Sequence, residues 1–126
     1  MFVASIVLVL AAISMPIVIQ ACANGRIRVN PIAGIRIRNV MASEAAWRAG
    51  HKAAVVPSWI GAGLAVVLSL VSLYPAFPPA TQRAIGVAAA VVLVVALTIG
   101  AFQANRAALD EIALEFAEPG RRQDEY

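Results

Sequence analysis

Three long runs without a charged residue most constrain how this chain folds. Residues 1–25, 53–82 and 84–105 contain no Asp, Glu, Lys or Arg, and the runs are 25, 30 and 22 residues long. A helix that crosses about 30 Å of hydrocarbon needs roughly 20 mostly apolar residues, so each run can span a membrane. A soluble fold of 126 residues would have too little chain left to cover three such helices. The sequence therefore predicts an all-α membrane protein.

The predicted organisation is a single three-span membrane domain, residues 1–126. Its transmembrane helices cover about residues 2–22, 57–75 and 84–104, with a loop at 23–56 and a tail at 105–126. Pro57 suits the first turn of the second span, because its missing N–H is not needed there.

Small residues recur four apart in the second and third spans, as in Gly61 with Ala65 and Ala96 with Gly100. Small side chains at this spacing let helix backbones approach closely. We expect these faces to pack the spans on each other. Packing against a second copy, which would give a homo-oligomer, is the alternative.

The first span also raises the question of a cleaved leader. Ala21-Cys22-Ala23 resembles a small-residue cleavage site, and Ile19-Gln20-Ala21-Cys22 resembles a bacterial lipid-attachment box. No basic residue precedes the run, and the run is longer than the usual apolar part of a signal peptide. A retained span is the favoured interpretation. Cys22 is the only cysteine, so no intrachain disulfide and no cysteine metal cluster are expected.

Basic residues are distributed unevenly around the predicted spans, and those near spans stay on the cytoplasmic side. Only Arg83 lies between spans two and three; the other nine are Arg26, Arg28, Arg36, Arg38, Arg48, Lys52, Arg106, Arg121 and Arg122. This asymmetry predicts a membrane protein with its N-terminus outside and its loop and tail in the cytoplasm. The basic residues lie beside the bilayer, which indicates anionic lipid headgroups rather than nucleic acid as partners.

The tail continues the helical pattern beyond the third span. Residues 101–118 contain no Gly or Pro, and apolar residues recur at helical spacing at Leu109, Ile112, Ala113 and Phe116. The sequence predicts one unbroken helix that stops before Pro119-Gly120, with this apolar stripe covered by the loop.

The first half of the loop alternates between basic and apolar residues. Turn residues separate "RIRV" from "IRIR", a pattern typical of a β-hairpin, with an irregular loop as the alternative. Arg26, Arg28, Arg36 and Arg38 would share one face, with Ile27, Val29, Ile35 and Ile37 on the other. We expect the four arginines to bind a partner or lipid headgroups.

The second half of the loop is predicted to form a short amphipathic helix on the membrane surface. Ser43 is a good N-cap, and Trp47 and His51 fall on one side of the helix, with Trp47 facing the bilayer edge. Gly34 would allow the bend that brings Arg36 towards these two side chains.

The loop resembles the cytoplasmic-loop signature of the SdpI family of bacterial membrane proteins, over roughly residues 25–54. The matching positions are Asn30, Gly34, Ile35, Arg36, Ser43, Glu44, Ala46, Trp47 and His51. Ile37 and Val40 depart from the family, which usually has Thr at the first position and often at the second. The resemblance implies that Asn30, Gly34, Ser43, Trp47 and His51 organise the loop. The family is named for immunity to a secreted toxic peptide.

The residues give little support to catalysis or transport. His51 with Glu44 is a weak acid–base pair, and no metal-ligand spacing, nucleophile motif or phosphate loop is present. The predicted spans contain no ionisable side chain of the kind that an ion path needs. We therefore expect no catalytic residue, metal or cofactor. Two functions remain: an SdpI-like protein whose loop binds another membrane protein or a peptide, or an accessory subunit of a larger membrane enzyme or transporter.

Overall fold

The computed structural model describes residues 2–118 and residue 120. Its helices are α1 (Phe2–Ala23), α2 (Glu44–Val71) and α3 (Pro79–Ala117). All three are long and apolar enough to cross a membrane. The prediction of an all-α chain with three potential spans is therefore confirmed.

α2 is the central helix of the bundle. It packs along both α1 and α3, whereas α1 and α3 barely touch each other. α2 runs antiparallel to α1, because Ser5 near the start of α1 lies 3.3 Å, hydroxyl to hydroxyl, from Ser72, the C-cap of α2. It also runs antiparallel to α3, because Ala54 lies beside Gly100 and Gly61 beside Ala96. One end of the bundle therefore carries residues 24–43, and we call it the cap end. The other end carries residues 72–78, and we call it the link end.

Small residues set the distance between α2 and α3. A Cβ on Gly61 would lie 2.0 Å from the Cβ of Ala96, and a Cβ on Gly100 would lie 3.5 Å from that of Ala54. Only glycine permits the first of these approaches. The expectation that the small-residue faces pack the spans on each other is confirmed.

α3 continues past the bundle's apolar core as one helix, as predicted. Its 39 residues extend about 58 Å, far more than the roughly 30 Å of a hydrocarbon core. The predicted apolar stripe is only partly right: Ile112 packs on the core, but Leu109 is 46% exposed and Phe116 83% exposed. α2 lies so close to α3 at the cap end that only small side chains such as Ala108 fit between them. The predicted positions Arg121 and Arg122 lie outside the described residues.

The predicted β-hairpin is absent from the described residues 24–43, which form turns and bends. The alternation did identify the inward side chains, because Ile27, Val29, Ile35 and Ile37 all pack against the buried core of the cap end. The backbone groups of this segment bond to side chains of α2 instead of to a second strand. The alternation of apolar and basic residues therefore indicates which side of the segment is buried. It does not indicate a strand in this case, although alternation is typical of strands.

The predicted short surface helix is instead the first part of α2. Ser43 is the N-cap, and its hydroxyl accepts a hydrogen bond from the backbone N–H of Ala46 at 3.0 Å. The helix then continues without interruption through Pro57 to Val71. Trp47 is fully buried, so its predicted place at the bilayer edge is wrong. The closely packed α3 and the segment 24–43 cover the side of the helix that the prediction assigned to lipid.

Candidate functional site

Residues 24–43 form a folded element over the cap end of the bundle, which we call the cap. Beneath it lie the side chains of Trp47 and His51, one helical turn apart on α2 and both 0% exposed. Their ring centroids are 4.2 Å apart, and the planes are tilted by 48°. The buried core around Trp47 includes Cys22 from α1 and Val40 from the cap. The cap is therefore a packed part of the fold.

His51 ties the cap to α2 through both ring nitrogens. Its Nε2 accepts a hydrogen bond from the backbone N–H of Ile35 at 2.8 Å. Its Nδ1 lies 2.7 Å from the carbonyl oxygen of Trp47, to which it donates. These two contacts define a neutral imidazole with its proton on Nδ1.

Burial lowers the pKa of His51, and the hydrogen bond to the Trp47 carbonyl opposes this only in part. His51 lies before the uncharged run that begins at Ala53, and therefore outside the predicted second span. Protonating Nε2 would also remove the acceptor for Ile35 and place two N–H groups against each other. The cap therefore requires the neutral histidine.

Gly34 allows the cap to lie directly on these rings. Its φ of +96° lies in a region that L-residues with side chains rarely adopt. A Cβ at this position would lie 2.7 Å from Nε2 of His51 and 3.0 Å from the indole ring of Trp47. Both the backbone angle and the contact distance require glycine.

Two further side chains of α2 bond to the first half of the cap. Trp47 donates its indole N–H to the carbonyl of Ile27 at 2.9 Å. Glu44 accepts the backbone N–H of Val29 at 3.3 Å, and the same carboxylate oxygen lies 3.4 Å from Nε of Arg28. Trp47, His51 and Glu44 thus satisfy three backbone groups of a segment that has no sheet partner.

The middle of the cap is shaped by Asn30. Its side-chain oxygen accepts the backbone N–H groups of Ile32 at 2.9 Å and Ala33 at 2.8 Å, and its amide donates to the carbonyl of Arg28 at 2.7 Å. This local ring of hydrogen bonds is an Asx-type turn. Arg36 donates to the carbonyl of Pro31 and stays at the surface.

The second half of the cap is joined to α3. Asn39 donates to the side-chain oxygen of Asn105 at 2.9 Å, and Ser43 donates to Glu115 at 2.8 Å. Val40 is fully buried, and its side chain would lie within 3.2 Å of a Cβ on Gly50. These contacts fix the cap relative to both long helices.

The structure places Gly34 against Trp47 and His51. Arg36, which was expected beside these two side chains, is exposed and bonds to the carbonyl of Pro31 instead. Asn30 and Ser43 lie at the turn and the helix start. The four arginines of the cap are exposed: Arg26, Arg28, Arg36 and Arg38. Within the described residues, the ion pair found in this group joins Arg28 to Glu44.

Sequence reasoning missed the roles of Asn39 and Val40. Val40 and Ile37 are the two positions at which the chain departs from the SdpI pattern, and both side chains face the core. Asn39 and Asn105 are 66 positions apart in the sequence, so no local sequence pattern predicts their hydrogen bond.

A cavity of about 240 Å³ lies beneath Gly34 and Ile35, between the three helices. The one hydroxyl among its lining side chains, Ser58, donates to the carbonyl of Val55 at 2.8 Å. Both nitrogens of His51 are already hydrogen-bonded, to the N–H of Ile35 and the carbonyl of Trp47.

Comparison with known families decides what kind of protein this is. The sequence model of the SdpI/YfhL protein family matches residues 26–101, more than half of the chain. The chain belongs to the SdpI/YfhL family. The matched region of this SdpI/YfhL protein contains residues 26–43 of the cap, all of α2 and most of α3, and leaves out α1. Family membership and three helices that can span a membrane establish a multi-pass membrane protein.

No curated protein and no solved structure matches the chain.

Proposed function

We propose that this protein is a non-catalytic, SdpI-like component of the bacterial cytoplasmic membrane. Its cap faces the cytoplasm and binds an acidic segment of a partner, in a role of the immunity or sensing type. One observation carries this proposal: the cap is held rigidly from below, and its arginines face outwards.

The charge pattern supports the choice of partner. Arg26 and Arg38 are exposed and pair with no acidic residue in the described part of the chain. Arginine retains its charge at any physiological pH, and its planar donors suit carboxylates and phosphates. An acidic segment of another membrane protein or of a peptide would complement this surface. Anionic headgroups beside the cap would pair with the same side chains and hold the cap near the bilayer.

The proposed orientation follows from the basic residues. Of the eight Lys and Arg among the described residues, the cap end carries seven and the link end carries Arg83. The positive-inside rule then places the cap and the far end of α3 in the cytoplasm and the N-terminus outside.

Rigidity matters for this function because ordering a flexible loop on binding would reduce affinity. Trp47, Glu44 and His51 bond to the cap from below, and Asn30 shapes it from within. The arginines are thus presented on a preformed surface. The entropy lost on binding then comes from the association itself and from ordering of the arginine side chains.

Photo-crosslinking in intact cells tests this proposal. A photoreactive amino acid replaces Ile32, which is 86% exposed on the cap, and in a matched strain it replaces Ala80, exposed at the link end. We expect a discrete protein adduct from position 32 that is absent from position 80. Adducts with phospholipid alone would mean that the cap contacts lipid headgroups and binds no protein partner. The absence of any position-specific adduct would overturn the proposal.

A second function, that of an accessory subunit, is favoured by one separate observation. Leu109 and Phe116 on the far part of α3 are exposed and point away from the cap's core. An apolar patch on a helix that extends past the bundle can bind a larger membrane enzyme or transporter. Purification in mild detergent distinguishes the two functions. A stoichiometric complex that dissociates in the Phe116→Ser variant would favour the subunit role. Purification of the chain alone would favour the first proposal.

A further inference from the structure

A groove of about 640 Å³ lies between α1 and α3 at the link end, far from the cap. It exists because α1 and α3 each pack on α2 and barely touch each other. Its walls come from residues between 4 and 11 of α1 and between 83 and 90 of α3. Several of these residues are alanine or glycine, which leaves room between the two helices.

The lining is apolar except for two side chains, Ser5 and Arg83. Ser5 is buried, and its hydroxyl lies 3.3 Å from that of Ser72. Arg83 is exposed and lies at the end of the groove nearest the start of α3. The groove therefore combines a hydrocarbon-like interior with one permanent positive charge near its opening.

Among the described residues, no acidic side chain lies at this end of the molecule. Residues 1–43 and 45–109 contain no Asp or Glu, and Glu44 and Asp110 both lie at the cap end. An arginine near the hydrocarbon region needs an anionic group or strong acceptors. The described residues therefore leave Arg83 open to an anionic group from outside the chain.

We propose that the groove binds one acyl chain of an anionic glycerophospholipid, with the lipid phosphate on Arg83. An apolar groove that opens towards the bilayer loses dispersion contacts if it stays empty, and a lipid chain restores them. The groove extends about 10 Å along the helix axes, which fits within one leaflet of a hydrocarbon core about 30 Å thick. The positive charge of Arg83 and the apolar shape of the groove thus both suit an anionic phospholipid.

A second copy of this chain is a poorer occupant for a specific reason. Among its described residues, the link end would bring another Arg83 and no acidic side chain. Two arginines would then face an apolar contact without neutralisation.

Cross-linking with a lipid probe tests the site. The full chain is placed in phosphatidylcholine vesicles that contain phosphatidylglycerol with a diazirine on its acyl chain, and adducts are mapped by mass spectrometry. We expect adducts concentrated in residues 4–11 and 83–90, relative to exposed positions of α2 such as Leu64 and Val67.

Matched variants separate the groove from general lipid contact. Ala90→Leu adds bulk inside the groove, whereas Ala88→Leu adds the same bulk on the exposed side of α3. Groove adducts should fall several-fold in the first variant and stay unchanged in the second. Ala11→Leu, on the opposite wall, repeats the test if Ala90→Leu gives low yield.

The charge is tested with Arg83→Gln and Arg83→Lys. Arg83→Gln should lower labelling by the phosphatidylglycerol probe to that of a matched phosphatidylcholine probe, and Arg83→Lys should retain most of the preference. Even labelling of all lipid-facing positions, or labelling that Ala90→Leu leaves unchanged, would overturn the proposal.

Discussion

The imidazole of His51 accepts the backbone N–H of Ile35 at 2.8 Å, and this bond joins the cap to the central helix. The acceptor nitrogen exists only while the histidine is neutral. Burial of the ring and the orientation of the Ile35 N–H favour that state. The attachment of the cap therefore depends on pH.

We predict that the protein loses stability as the pH falls below about 6.5, the ordinary pKa of histidine. Because burial lowers the pKa of His51 in the folded state, the unfolded chain binds the proton first, and protonation favours unfolding. Stability is fully present above that pH and declines below it. Thermal unfolding in detergent at pH 7.5 and pH 5.5 measures the effect.

His51→Gln provides the control for this experiment. It should be less stable than the parent at pH 7.5, because one or both hydrogen bonds of the ring are lost. It should also show a smaller change between the two pH values. An equal pH dependence in both proteins would assign the effect to other groups.

Gly34→Ala should destabilise the cap by roughly 1–3 kcal/mol, the usual range for a residue held in an unfavourable backbone region. The added Cβ would also lie 2.7 Å from Nε2 of His51. Gly63→Ala is the matched control, since a Cβ there meets nothing within 4 Å. In that helical position alanine should be neutral or stabilising. Chemical denaturation monitored by Trp fluorescence compares the two, and equal effects would show that the cap does not pack on His51 as described.

Gly61→Ala should weaken the packing of α2 on α3. Its Cβ would lie 2.0 Å from the Cβ of Ala96, so the helices would have to separate. Ala96→Gly removes that obstacle and should recover part of the lost stability in the double variant. A double-mutant cycle measures this coupling, and additive effects would mean that the two residues do not face each other.

The sequence predicts the helices well because hydrophobic length and charge gaps are local properties. Ser43 as the helix start was equally readable, since a cap depends on its neighbours. The alternation of Ile27 and Ile35 with arginines correctly separated inward from outward side chains. It did not reveal that α2 supplies the hydrogen-bond partners, because that depends on Trp47 and His51 lying beneath the segment in three dimensions.

Two other features also depended on tertiary packing. Pro57 is compatible with a first turn or with a helix interior, and the continuous packing along α2 decides for the interior. On α3, the closeness of α2 selects Ala104 and Ala108 for the interface and leaves Phe116 outside. Helical periodicity detects an apolar stripe, but the size of the space beside the helix determines which stripe is buried.

The proposed orientation predicts which single cysteines can be labelled from outside the cell. In a Cys22→Ala background, Pro78→Cys at the link end should react with an impermeant maleimide in intact cells. Ala45→Cys, near the start of α2, should react only after permeabilisation. The opposite pattern would place the cap outside and remove the basis for a cytoplasmic partner.

The central claim is that the rigid cap presents its arginines to an acidic partner. The most direct measurement is the yield of the position-32 protein adduct in cells that carry Arg26→Gln together with Arg38→Gln. Both side chains are exposed, and the hydrogen bond of Arg26 to Ala21 is made by the backbone, so the variant should keep the parent's folded yield and lose most of the adduct. Arg83→Gln, at the opposite end, should leave the adduct unchanged. A folded double variant that forms the adduct as well as the parent would contradict the account.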